Sequence, residues 1–490
     1  MQMENDRVCR RVLRFEVAVN DLADHKRRLL EANQVRTELT LPLESAVEPL
    51  RAARITSLSN DELYNLRIDD DFCDAINPRN EAAALAMLLG KLGSQPQDLQ
   101  LLDKFYKAYA DQASPGSGVC YCTEGGHKEN ALYRWAASSG IETRLQPAMF
   151  DGGIRGLAAP TDLPAGSETI RVPQAVLISH ETAKSSDLGP VLMQFPQLGD
   201  DSIAVVWTMV ERHDADSPRA PFWKSLPEQL HSGLSMSDSL LQTLQGTPAY
   251  AEIDTSRKHV EQQYRDIKPI LEALVAAYPA YMQPEWFTWP AYLWAVQLWY
   301  AYAMQVRWPD GSSQECLVPY ASLLNHAPYP HIIQYGQLDP DTRVLSFPSF
   351  RPTSKDQQCF LSYGPLPNLK LLLFYGIAIS HNPHDTVPLQ LQIPHSNSVR
   401  QAELHDMLAR HNIPLQHKLC AGRLPVSLLQ AASLLGDSKA GLQDSIARCQ
   451  ELQLLKRLEP MLKSVYTFVS GQAHIVDCAV QQLAQDTHGC

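Results

Sequence analysis

Asn325 and His326 stand side by side at the end of an apolar run, VPYASLLNHAP, Val318 to Pro328. Downstream, FLSYGPLPNLKLLLFYG carries two Tyr-Gly pairs, at Tyr363 and Tyr375, with an asparagine between them. Upstream, GGIRG sets Ile154 and Arg155 among three glycines. An Asn-His pair offers donors and acceptors, and tyrosine hydroxyls can orient a reacting group without being strong bases. Glycines let another group come close to the backbone. Each piece also has a plain structural reading. The Asn-His pair can cap a turn, the tyrosines can be half-buried strand residues with bonded hydroxyls, and the glycines can form an ordinary hairpin.

Commoner chemistries are missing. The sequence has no GxSxG, no GxxxxGK[ST], no GxGxxG after a strand and no HExxH. Its sixteen histidines include no i, i+4 pair beside a glutamate of the zinc-protease kind. Cys120 and Cys122 with His127 nearby are a metal-like grouping, but loop cysteines of a reduced protein account for them, and no metal is expected.

The elements that must position these residues are bounded by composition. A chain of 490 residues exceeds one ordinary core and implies about three domains. A formal net charge of -12 argues against a phosphate-binding surface, so no nucleic-acid partner is expected. Ten scattered cysteines fit a reducing compartment better than a disulfide framework. No signal or transit peptide is visible at the N-terminus, which leaves cytoplasm, nucleus and plastid open. Trp286 to Val306 lacks charge and is long enough to span a bilayer. Its aromatic residues run through the middle, Gln297 is central, and Thr288 with Pro290 looks like a capped soluble helix start, so no membrane partner is expected.

Leu13, Phe15, Val17 and Val19 alternate with polar or small residues and predict a strand with one buried face. Helices are expected over Asn80 to Leu92 and Leu99 to Tyr109, followed by a Pro-Gly-Ser linker, Asp111 to Gly118. The last hundred residues repeat the first: Leu389, Leu391 and Ile393 answer the opening strand, MLARHNIPLQHKL answers LLEANQVRTELTL, and helices from Val47 and Pro425 follow. The order strand, helix, turn, helix favours a duplicated lobe. Short strands are expected from Gly152 to Ile178. A helical stretch follows from about Pro227 to Met304, whose stripe runs from Val260 through Tyr264, Ile267, Ile270, Leu271 and Leu274 to Val275.

Taken together, GGIRGLAAPTDLPAGSETIRVPQAVLIS, FTWPAYLWA, LVPYASLLNHAP and FLSYGPLPNLKLLLFYGIAISHNPHD occur in the order and spacing of a SET-domain methyltransferase. The chain resembles the plant Rubisco large-subunit methyltransferase type and its relatives acting on non-histone proteins, strongly over Ala131 to Asp385. That resemblance implies an α+β fold: a β-rich SET core with a knot-like crossing and a helical insertion, between largely helical lobes. The expected divisions are 1–112 as a lobe, 113–128 as linker, 129–384 as the SET domain with its insertion at about 190–285, and 385–490 as a helical substrate-binding lobe. The resemblance makes Asn325 and His326 contacts to S-adenosylmethionine. Ile154 and Arg155 would offer backbone groups to the same cofactor, and Tyr363 and Tyr375 would line the methyl-transfer channel.

The implied reaction is methyl transfer to a nitrogen of a protein substrate, lysine before histidine. In-line displacement needs alignment and a neutral amine, which desolvation beside a sulfonium supplies. Three positions depart from the family. Ser322, near the substrate channel, stands where relatives carry Asp, and Ala301 and Tyr302 stand where they carry Ser-Arg. These departures keep open a different class of protein, a catalytically weak or inactive SET scaffold that binds protein partners.

Overall fold

In a computed structural model of the chain, the described residues are 12–17, 23–40, 47–58, six positions between 80 and 91, and 119–419. The last stretch has breaks at 124–127, 391–397, 411–413 and a few single or paired positions. The chain divides into two compact units. One contains Met1–Ala113, His381–Leu454 and Val469–Cys490, and the other contains Ser114–Ser380 with Leu455–Phe468. Both end segments, expected as separate lobes, therefore contribute to one unit.

In that unit β1 (Val12–Arg14) pairs antiparallel with β2 (Glu38–Thr40), across a helix at Ala23–Ala32. Leu13 and Phe15 are buried and their neighbours exposed, as the alternation requires. A second helix, Val47–Thr56, follows. In the expected helix from Asn80, the described residues Asn80, Ala83, Ala84, Met87, Leu88 and Lys91 are helical. The helix expected over Leu99 to Tyr109, the linker and the helix from Pro425 lie outside the described residues.

The other unit holds the β-rich core. Strands β3 (Val119–Tyr121), β5 (Gln146–Phe150) and β6 (Ile154–Ala158) form one antiparallel sheet. Strands β4 (Glu142–Thr143), β7 (Glu168–Pro173) and β11 (Val344–Pro348) form another. A hairpin joins β8 (Ala303–Arg307) to β9 (Ser313–Leu317). Finally β10 (Asn325–His326) lies parallel to β12 (Phe360–Leu361).

Between the strands the chain from Gly189 to Ala277 carries a run of helices joined by loops, which begins before the stretch expected from about Pro227, and that expected stretch ends in β8 at Ala303 instead of continuing helical to Met304. The long helix Pro248–Ala277 starts on Thr247, whose side chain accepts from the Tyr250 amide. It buries Ile253, Val260, Ile267, Leu271 and Leu274, each worth about 1.5–3 kcal/mol of gross burial. The apolar stretch weighed as a span is a helix only from Trp289 to Tyr302 and then turns into β8. Among the described residues no helix is long and apolar enough to cross a membrane. Thr288 is its N-cap residue and Pro290 opens it, but the Thr288 hydroxyl donates to the Glu285 carbonyl and caps nothing. Gln297 is buried and satisfied: its amide donates to Ser232 Oγ (2.8 Å), Ser235 Oγ (2.9 Å) and the Leu230 carbonyl.

The crossing is the feature that organises the core. The segment from Thr353 to Ser362 is bonded on one side to the end of β6 and the loop after it, through Cys359 N–H to Leu157 O, Ala159 N–H to Gln357 O and the Leu163–Thr353 bridge. On its other side it is bonded to β10 and to the loop at His331–Ile332. One short segment is thus clasped between two parts of the chain distant in sequence.

Back in the first unit, β13 (Val387–Gln390) pairs antiparallel with β14 (Gln416–Leu419) across a helix at Ser398–Arg410. This repeats the order and pairing of β1 and β2. Leu30 and Leu408 are both buried, as are Leu39 and His417, in the positions the sequence alignment of the two segments equates.

His331 closes the crossing chemically. Its Nδ1 accepts from the Phe360 amide at 3.1 Å, and its ring stacks on Phe360. Burial, assisted by Arg351, pushes its pKa down from 6.5 to about 3. The lone pair on Nδ1 must stay unprotonated to accept. The folded state therefore binds the proton more weakly than the unfolded one. This contribution to stability is complete above about pH 6.5 and is lost as pH falls toward 3. The urea midpoint of wild type should fall over that window, and the fall should be shallower in His331→Gln, whose side-chain oxygen accepts without titrating. Parallel slopes in the two proteins would contradict this assignment.

Candidate active site

The sequence-predicted residues come together at the crossing. Parallel pairing sets Asn325 opposite Phe360 and His326 opposite Leu361. The Tyr363 amide then donates to His326 Nδ1 at 3.1 Å, and the two rings stack with centroids 5.1 Å apart. Tyr375 stacks on the other tyrosine, Tyr363, at 4.7 Å and 23°. Asn325 reaches across the crossing: its amide nitrogen donates to the Arg155 carbonyl and to Gln358 Oε1, both at 2.7 Å. Thus Arg155, Asn325, His326, Tyr363 and Tyr375 form one chain of contacts. Ile154 leaves its side chain 53% exposed at the start of β6.

Gly156 explains the third glycine of GGIRG. A Cβ there would sit 2.7 Å from Gln358 Oε1 and 3.0 Å from Asn325 Nδ2, too close for the bond between them to form as it does. The Arg155 guanidinium turns away to Glu129 Oε1 (3.5 Å) and the Ser225 carbonyl, both in buried surroundings. Its carbonyl, expected as a free backbone contact, already accepts from Asn325.

The apolar run before Asn325 is not relaxed. Tyr320 has φ 69° and ψ -52°, and the Ala321 amide bonds back to the Pro319 carbonyl, which is a γ-turn of the strained hand. Tyr320 is fully buried and its hydroxyl donates to the Leu145 carbonyl at 2.7 Å, so packing and one buried bond hold the turn. Half-buried Ser322 lies in the short helical turn that follows, its amide bonded to Val318 O.

Tyr375 ends a π-helical turn, Leu371–Tyr375, of a kind that recurs at functional sites. Leu371, Leu372 and Leu373 are buried. Gly376 then takes φ 67°, and its Cβ position is occupied by the His231 carbonyl. Gly233 returns the fit: a Cβ there would lie 2.9 Å from Leu373 Cα. The loop that Gln297 holds from the other side is therefore the bed on which Tyr375 rests.

Two further tyrosines join the cluster. Tyr335 donates its hydroxyl to the Ser362 carbonyl and stacks on Phe347 at 5.6 Å. It begins a third Tyr-Gly pair in the sequence, at Tyr335-Gly336, which could have pointed to it. Tyr302, where the resemblance implies an arginine, lies close enough to Tyr363 to act on its ionisation. Burial first, then Tyr302, Tyr375 and Tyr335, push the Tyr363 phenol far up. Burial and then Glu315 raise Tyr375, and burial with Tyr375 raises Tyr335 to about 12. All three are neutral phenols at physiological pH. The Tyr363 hydroxyl donates to the Leu324 carbonyl at 2.9 Å, so its oxygen is left with lone pairs to offer.

Cys122 is buried, its thiol bonds the Cys120 carbonyl, and burial holds its pKa up. His127 lies outside the described residues. Among the described residues a grouping of His180, Glu181 and Asp200 could share a cation, but Lys184 Nζ already lies 3.2 Å from Glu181 and 2.7 Å from Asp200.

No family model matches the chain. Solved structures do: the SET domain of LSMT bound to lysine and AdoHcy aligns with TM-score 0.56, 17% identity, 74% of this chain and 92% of that one. Rubisco LSMT bound to AdoMet aligns with TM-score 0.55 at the same identity and shares. The fold is the SET-domain fold. Among curated proteins, SET domain-containing protein 4 of Mus musculus is 27% identical over 274 residues, 53% of this chain and 60% of that protein. Actin-histidine N-methyltransferase of Canis lupus familiaris is 26% identical over 288 residues, 58% of this chain and 48% of that protein. The chain thus spans about half to three-fifths of the length of these curated relatives. The expected α+β class and SET architecture agree with these likenesses.

Gly376 is the tightest point of the site. Gly376→Ala combines left-handed backbone with overlap on the His231 carbonyl and should cost about 3 kcal/mol or more, read as a lowered urea midpoint. Gly153→Ala, at φ 73° with open space around the Cβ, should cost only about 1–2 kcal/mol. Equal losses would mean that the close approach of the loop carries no energy.

Proposed function

We propose that the chain is an S-adenosylmethionine-dependent protein N-methyltransferase of the Rubisco-methyltransferase-like kind, with lysine as acceptor on a non-histone protein. The observation that carries this reading is the stack of His326, Tyr363 and Tyr375 beside an Asn325 locked across the crossing. The residues fit the cofactor. With both amide hydrogens of Asn325 committed, its side-chain oxygen remains to accept from an ammonium, and the exposed Ile154 offers an apolar face. Asn325, His326, Ile154 and Arg155 would hold it, and when bound it supplies an electrophilic methyl group on a sulfonium.

The chain's own residues then orient and exclude. Tyr363 has its proton on Leu324 O, so its oxygen accepts from an acceptor N–H and turns the nitrogen lone pair. The Tyr375 hydroxyl, with no bond to the described residues, is free to take part in the same alignment. Because the phenols stay protonated, these tyrosines supply no strong base, and the acceptor loses its proton to water under desolvation and like charge. The two similar end segments in one unit supply surface for docking a protein substrate.

A second reading, histidine as acceptor, draws support from the actin-histidine methyltransferases among the relatives. The pH dependence of kcat/KM separates the two because it reports free acceptor and free enzyme. For lysine the rate should climb about tenfold per pH unit up to about pH 10; for histidine it should level off above about pH 6.5. The raised tyrosine pKa values place no enzyme downturn inside that range.

Tyr375→Phe keeps the ring and deletes the hydroxyl. Turnover should fall roughly 30-fold to 1,000-fold while S-adenosylmethionine affinity by calorimetry stays within about twofold, since only alignment in the transition state is lost. Wild-type turnover in this variant would remove Tyr375 from the reaction. Cofactor binding without turnover on any protein extract would turn the reading to the inactive scaffold.

A further inference from the structure

From the geometry of the crossing we infer that Gln358 is a positioning residue that fixes which way the Asn325 amide faces, and so which charged group of a bound amino-acid moiety Asn325 reads. The inference rests on the cofactor reading above and goes one step past it, to a residue with no place in the sequence motifs. An asparagine amide has two faces of opposite character, a donor nitrogen and an acceptor oxygen. Rotated by half a turn, it would offer N–H groups to a carboxylate in place of an oxygen to an ammonium. In this chain the choice is made by two acceptors, the Arg155 carbonyl on β6 and Gln358 Oε1, each 2.7 Å from Asn325 Nδ2. The Arg155 carbonyl only accepts, so the nitrogen must face it, and Gln358 turns the oxygen end of its own amide to the second proton.

Of the two, the Arg155 carbonyl is backbone and a carbonyl alone would still permit some rotation, whereas Gln358 takes the second proton. Its placement is built in. Gln358 bridges to Ala158 at the crossing, its neighbour Cys359 bonds Leu157, and the missing side chain of Gly156 leaves the room in which Gln358 and Asn325 meet. The three residues act as one device.

The test is calorimetry with two ligands, S-adenosylhomocysteine, which carries the amino-acid portion, and methylthioadenosine, which lacks it. Gln358→Leu should weaken S-adenosylhomocysteine about 10-fold and leave methylthioadenosine within about twofold. Gln358→Glu, which keeps an acceptor, should restore the first to near wild type. A merely structural role predicts that both ligands weaken together, and that result, or unchanged binding of both in Gln358→Leu, overturns the inference with the cofactor reading intact. Wild-type protein that binds neither ligand overturns the cofactor reading itself. A nitrogen-15 spectrum of the unliganded protein gives an independent check. Both Asn325 side-chain protons should be slow to exchange in wild type and one should become fast in Gln358→Leu, and unchanged exchange also overturns the inference.

Discussion

Two-sided bonding of the segment between Thr353 and Ser362 is the constraint on which the site depends. Its buried residues, Thr353, Cys359 and Leu361, must satisfy their backbone groups, and the segment pairs with β6 and the loop behind it on one side and with β10 and the His331 loop on the other. Nothing in it can slide without breaking both ladders. The consequence is chemical as much as structural. Asn325 is brought within reach of Arg155, and Tyr363 follows β12 directly onto the His326 ring.

Tyr375 is held by a separate route. Three bonds from Gln297 fix the loop at Leu230–Ser235, and that loop lies so close to the Leu371–Gly376 turn that glycines are needed on both surfaces. The helical insertion is thereby the support of one wall of the tyrosine stack. Nearby, Trp299 donates to the buried Thr208 hydroxyl and Arg212 lies 3.6 Å from the Trp294 ring, tying the same helix to Asp200–Glu211. A polar residue at the centre of an apolar helix, which argued against a membrane span, turns out to be the link between the insertion and the site.

Much of this was legible because it is local. The Asn-His pair, the two Tyr-Gly pairs and the glycine-flanked turn each sit inside one short motif, and the strand alternation at Leu13 and Phe15 follows from one buried face. What was illegible depends on partners far apart in sequence. Gln358 meets Asn325 across 33 residues, and Tyr320 finds the Leu145 carbonyl across 175. Nothing in VPYASLLNH announces that its tyrosine takes a strained turn, since only the buried packing around it makes that backbone tolerable. Likewise the Gly233–Gly376 contact is a property of two backbones in space, and Gly233 alone reads as a loop residue.

Tyr302, at a position where the family resemblance implies an arginine, bears on the electrostatics of the site. A guanidinium beside Tyr363 would favour its ionised form and repel a cationic acceptor; a neutral phenol does neither. On that resemblance, a counter-charge that a carboxylate could use is missing at position 302 as well. On the cofactor reading, recognition of an amino-acid moiety then shifts toward its ammonium, for which the fixed oxygen of Asn325 is the matching group. An asparagine that could turn freely would offer that oxygen only part of the time. Without a fixed charge at position 302, recognition rests the more on the orientation of one neutral amide, and the crossing is where the chain fixes it.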